Sequence, residues 1–189
     1  MKQEEVVIPL HRPNSREMVF FFSCGVIMSV PITLFIVQLI NPLTTGLDEF
    51  TAILISTAFF SPFVEEFSKV FPLFYRHGET QRSIFNLALM VGLGFGIVEM
   101  ITYTVVLGVP WYFRLPGLLF HPASTSIAAY GIATKRPIPF YLLAVGLHFA
   151  NNFLALTNPF PISASILIVG FTVFGSWKFY VKTQEKIVA

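Results

Sequence analysis

Ser61–Phe74 reads SPFVEEFSKVFPLF and places two adjacent carboxylates, Glu65 and Glu66, and one ammonium, Lys69, inside an otherwise apolar run. Upstream, from Phe50, the chain reads FTAILISTAFFSPFV without a charge. An ionised group near the middle of a bilayer costs about 2.5–3.5 kcal/mol on insertion scales, so three within five residues are hard to explain as packing. On a helix Glu65 and Lys69 stand four apart and share a face, where each offsets part of the other's desolvation. Glu66 points about 100° away. It is expected to lack a partner on its own helix and to find one on a neighbour.

Working outward, the chain as a whole is a membrane protein. Of its 189 residues 54% are hydrophobic and 12% are charged, against about 25% charged in a soluble domain. The length suits one membrane-embedded domain, an all-α bundle. Apolar stretches predict six transmembrane helices at about 18–40, 50–74, 83–107, 115–133, 138–156 and 162–181, after a cytosolic tail over 1–16. Pro31 is expected to kink the first, and Pro62 and Pro72 to bend the second around the charged cluster. The single cysteine, Cys24, excludes an intrachain disulfide and reads as an inert thiol.

Charge sets the orientation. Lys2, Arg12, Arg16, Arg76, Arg82, Lys135, Arg136, Lys178, Lys182 and Lys186 fall on one side when loops are taken alternately, and only Arg114 on the other. Positive charge accumulates in short cytosolic loops, which puts both termini in the cytosol of a multi-pass cell-membrane protein. A net charge of +2 gives no ground for a nucleic-acid partner.

Besides the Glu65–Lys69 cluster, three spans carry polar patches. Gly92, Gly96 and Glu99 share a face of the third, with glycines that let another backbone approach. His121, Ser124 and Thr125 share one on the fourth, and His148, Asn151 and Asn152 one on the fifth. Any one of these is an ordinary interhelical hydrogen-bonding group. Four patches on four spans are buried at least cost by facing one another, and together they predict one polar cavity lined by Glu65, Glu66, Glu99, His121, His148 and Asn152.

In order, Glu65-Glu66-x-x-Lys69, Phe95-x-x-x-Glu99 within GLGFGIVEM, His121, and His148-x-x-x-Asn152 resemble the motif series of the PrsW family, intramembrane proteases related to CAAX-processing and bacteriocin-immunity proteases. The CAAX-type pattern has Glu-Glu-x-x-x-Arg and Phe-x-x-x-His, whereas Lys69 and Glu99 stand at the discriminating places here. The residue after Glu99 is Met100, where the PrsW family often has Asn. The resemblance implies an endopeptidase acting on a membrane-anchored protein within the bilayer. Glutamic and metal-dependent mechanisms are both compatible with it.

The residue types suit hydrolysis, which needs an activated water, a donor for the oxyanion and an acid for the leaving amine. Glu65 and Glu66 supply base and acid, His148 orients the water, and Asn152 offers an amide to the oxyanion, with Lys69, Glu99 and His121 in support. Glutamic chemistry is favoured, without a cofactor. Zinc is the alternative, with Glu99, His121 and His148 as its candidate ligands; no HExxH spacing supports it. The rival class is a transporter or proton pathway, which would stagger its carboxylates in depth. On a simple helical count Glu65 and Glu99 are offset by roughly 13 Å along the membrane normal, which counts for that rival. A non-catalytic scaffold is the third class, and it would tolerate neutral replacement of Glu65 and Glu66.

Overall fold

Asn14 decides where the first helix begins: its Oδ1 accepts the N–H groups of Arg16 and Glu17 at 2.9 and 3.1 Å, and Glu17 Oε2 accepts the Asn14 N–H at 3.0 Å. This reciprocal cap satisfies donors that the first turn leaves free. The computed structural model describes residues 11–75, 80–158, 160–186 and 188. Most of the predicted tail, including Lys2, and the loop residues 76–79, with Arg76 and His77, lie outside them. The described residues are all-helical, with no strand.

Helix α1 runs over Ser15–Thr44 and continues through Pro31 and Pro42. Helix α2, Glu49–Tyr75, starts at Asp48, whose side chain accepts the Thr51 N–H at 3.0 Å. Hydrogen bonds from the Thr51 hydroxyl and N–H hold the exposed Asp48 carboxyl below its ordinary range. Helix α3 spans Gln81–Val106 and is capped by Thr80, whose hydroxyl accepts the Ser83 N–H at 3.1 Å. Helices α4, α5 and α6 follow at Leu115–Ala133, Pro137–Thr157 and Pro161–Lys182, each opening with a proline in its first turn, where the missing N–H is harmless.

A helix covers each of the six apolar stretches, but among the described residues four are able to cross a membrane by length and composition: α2, α3, α5 and the part of α6 over Ser163–Lys182. The described side chains of α1 contribute the shorter apolar stretch Leu34–Thr44. Helix α4 is charge-free, yet it carries His121, Ser124, Thr125 and Ser126, all buried against its neighbours. Its buried polar face keeps it outside those four.

Helix α4 is the hub. It packs most extensively on α3 and also touches α2, α5 and α6, while α1 lies on α3 and α2 closes against α1 and α5. Small residues make the close approach workable. A Cβ on Gly92 would lie 2.5 Å from the His121 carbonyl oxygen and from Pro122 Cα, and one on Gly94 would lie 2.2 Å from the Phe22 carbonyl oxygen of α1. These are backbone atoms that cannot swing aside. Gly92→Ala should therefore destabilise the protein by about 1–3 kcal/mol, the usual range for overpacking. Thermal unfolding in detergent checks this.

Helix α2 changes its winding at its two prolines. It is π-helical over Leu54–Phe60 ahead of Pro62, α-helical over Ser61–Val70, and 3-10 over Phe71–Tyr75 around Pro72. The α-helical piece buries Glu65, Glu66, Ser68 and Lys69 while Phe63 and Phe67 stay exposed. Cys24, placed on α1, is partly buried and forms no disulfide.

Candidate active site

Lys69 is the centre of the site. Its side chain is fully buried, and its ammonium has three N–H groups with three acceptors: Glu66 Oε1 at 2.5 Å, His121 Nδ1 at 3.1 Å and Ser124 Oγ at 3.4 Å. The Phe95 ring lies 5.1 Å away as a fourth, weaker contact. Because Nδ1 accepts from Lys69, His121 carries its proton on Nε2 and donates it to Glu99 Oε2 at 2.7 Å. The same Glu99 oxygen accepts from Arg114 Nη2 at 2.9 Å. A continuous polar chain thus runs from Glu66 on α2 through Lys69, His121 and Glu99 to Arg114 at the start of α4.

A second branch leaves Glu66. Its Oε1 also accepts from Ser124 Oγ at 3.1 Å and pairs with His148 Nδ1 at 2.8 Å. With Nδ1 turned to Glu66, His148 presents Nε2 to Glu65 Oε2, 3.8 Å away. Ser61, one turn before Glu65, donates its hydroxyl to Glu65 Oε1. Glu65 Oε2 and Glu66 Oε2 are buried and take no hydrogen bond from the described residues. Phe120 packs on the His148 ring with centroids 5.1 Å apart, and Phe95 packs on His121 at the same separation. These rings cover one side of each imidazole.

Two cavities meet here. The larger, about 600 Å³, is lined by Glu99, Tyr103, Arg114, His121, His148 and Asn152 among others. The smaller, about 110 Å³, is lined by Ser61, Glu65, Glu99 and Tyr103 with neighbouring α1 and α2 residues. Glu99 and Tyr103 line both, and Glu65 of the smaller stands 3.8 Å from His148 of the larger.

Several expectations change. Lys69 bonds to Glu66 at i, i+3 rather than to Glu65 at i, i+4, because its chain turns inward to His121 and Ser124. Glu66 therefore has a partner on its own helix. Of the six residues expected in one cavity, Glu66 is fully buried behind His148 and lines neither cavity, while Glu65 and Asn152 line different ones. Asn152, expected to offer its amide to an oxyanion, directs Nδ2 to the Thr57 carbonyl at 3.0 Å. Glu65 and Glu99, expected at different depths, line the same small cavity.

Ser61, Tyr103 and Arg114 join the site without having been expected there. Ser61 has a legible signal, standing one helical turn before Glu65. The pairing of Arg114 with Glu99 has none, since it depends on how the connector 108–114 folds back over the end of α3.

The protein is an integral, multi-pass helical membrane protein whose interior holds a carboxylate–lysine–histidine cluster. The family described as PrsW family intramembrane metalloprotease matches residues 14–177, and the chain belongs to that family. Membership supports an intramembrane protease. No curated protein and no solved structure matches the chain.

The family description implies a metal, and the donors here can be compared with that. Among the described residues no group of three or more His, Cys, Asp or Glu is arranged to hold an ion. Both nitrogens of His121 are engaged, and the Lys69 ammonium stands between His121 and Glu66, where a metal drawing on both would sit. The side chains as folded do not fit a metal centre.

Proposed function

We propose that this protein is an intramembrane endopeptidase that hydrolyses a membrane-anchored protein with a carboxylate-activated water. The observation that carries the reading is the His148 contact pair, Nδ1 at 2.8 Å from Glu66 and Nε2 at 3.8 Å from Glu65. Glu66, neutralised by Lys69 and fully buried, serves as the group that fixes the His148 ring. Glu65, at the cavity junction, accepts the proton of the attacking water and returns it to the leaving amine. His148, when protonated at both nitrogens, donates from Nε2 to the oxygen of the tetrahedral intermediate. Glu99 and Arg114 hold the tautomer of His121, which in turn keeps Lys69 on Glu66. The reaction balances as one water consumed and one peptide bond converted to a carboxylate and an amine.

The bundle is proposed to cross the bilayer six times with both termini cytosolic, as the ten-to-one distribution of Lys and Arg favours. Arg114 and the larger cavity then lie toward the opposite face from Lys135 and Arg136. A substrate approaches between helices within the bilayer, since no long loop covers the site among the described residues. Convergence of Glu65, Glu99 and His148 on adjoining cavities speaks against the staggered carboxylates of a proton relay.

Quantitative proteomics of membranes from cells carrying the wild type, Glu66→Gln or His148→Ala tests the proposal. Fragments of at least one membrane protein should be present with the wild type and absent with both variants at equal protein levels. Unchanged fragment patterns, together with loss of an ion or solute flux in the variants, would replace the protease with a transporter.

A further inference from the structure

Helix α2 changes register in the turn before its carboxylates, and the change leaves one backbone carbonyl in need of a donor. In the π-helical turns the Ser61 N–H donates to the Ser56 carbonyl, five residues back. One residue further on, the same register would pair the Thr57 carbonyl with the N–H of residue 62. That residue is Pro62, which has no N–H. A carbonyl without a donor is strongly unfavourable inside a membrane, and side chains of neighbouring helices are a recognised remedy.

The Thr57 carbonyl accepts from Asn152 Nδ2 of α5 at 3.0 Å. Asn152 is itself held, because its Oδ1 accepts from Asn151 Nδ2 at 3.4 Å, and Asn151 Oδ1 accepts from Ser165 Oγ of α6 at 2.8 Å. The two ends of the Asn152–Thr57 bond sit close to chemistry. His148 is one turn before Asn152 on α5, and Glu65 and Glu66 lie about two turns beyond Thr57 on α2.

We propose that Asn152 is a positioning residue: its amide supplies the hydrogen bond that Pro62 denies to Thr57, and so sets the register in which α2 presents Glu65 and Glu66 to His148. An oxyanion donor would aim the amide at the reacting centre, whereas Nδ2 is spent on backbone two turns away. The inference rests on the protease reading only for its effect on cleavage; its structural half stands apart.

The test is a cycle of Asn152→Leu, Pro62→Ala and the double variant in the purified full-length chain. Amide hydrogen exchange over residues 54–66 is one readout, and production of the wild-type membrane fragments is the other. Asn152→Leu should speed exchange and cut cleavage about 10²-fold, the scale of a small misplacement of reacting groups. Pro62→Ala alone should leave most activity. The double variant should regain both protection and cleavage, because replacing the proline by alanine brings back the N–H for Thr57. If Asn152→Leu fails to accumulate, accumulation of the double variant is the supporting result. A double variant that regains protection without cleavage would overturn the proposal in favour of direct contact between Asn152 and substrate. One that regains neither would overturn the Thr57 link itself. Absence of any wild-type fragment would remove the protease reading, and the exchange cycle alone would then decide the role of Asn152.

Discussion

Glu65→Gln is expected to abolish cleavage while leaving the protein inserted and folded. The carboxylate lies where the two cavities adjoin, with Ser61 on one oxygen and His148 Nε2 3.8 Å from the other. Gln keeps the shape and can still accept the Ser61 hydroxyl through its carbonyl, but it cannot take a proton from water. Loss of a general base reduces rate by about 10²- to 10⁴-fold. The measurement is fragment yield from wild-type and variant membranes, paired with thermal unfolding in detergent. Cleavage should fall by that factor with the midpoint nearly unchanged, since Glu65 makes no hydrogen bond to Lys69. Full activity in Glu65→Gln would show that another group activates the water.

Lys69→Met is expected to damage the fold itself. Lys69 and Glu66 are both fully buried, and the ammonium is bonded at 2.5 Å to the carboxylate. Removing one partner of a buried ion pair leaves an uncompensated charge and destabilises by about 3–5 kcal/mol. His121 Nδ1 and Ser124 Oγ lose a donor in the same step. The penalty comes mostly from stranded Glu66, so Lys69→Met combined with Glu66→Gln should be more stable than Lys69→Met alone. Thermal unfolding of the two singles and the double gives the coupling directly. Equal stability of Lys69→Met and the wild type would mean that Glu66 is not ionised against Lys69.

How far the sequence reveals this site depends on the kind of relation. That Glu65, Glu66, Lys69, Glu99, His121 and His148 belong together is legible, because charges in apolar helices have nowhere else to go. The all-helical class and the helix positions follow from the same apolar stretches. Which group pairs with which is not legible, because i, i+3 and i, i+4 both place Lys69 near a carboxylate. The choice of Glu66 comes from His121 and Ser124 on a helix far along the chain. Depth is not legible either: a uniform rise of about 1.5 Å per residue takes no account of helix tilt, nor of the rewound turns at Leu54–Phe60 and Thr102–Val106. Pro62 hints at irregular winding, and nothing local marks the second of these.

The central claim is hydrolysis by side chains grouped around a buried lysine, in a family described as metalloproteases. Its most direct test uses purified wild-type protein and Glu65→Gln, reconstituted in vesicles with the membrane protein whose fragments depend on Glu66 and His148, with and without a strong chelator. The predicted result is wild-type cleavage at the same rate in chelator, and none by Glu65→Gln in either condition. Cleavage that stops in chelator and returns on addition of zinc would contradict it.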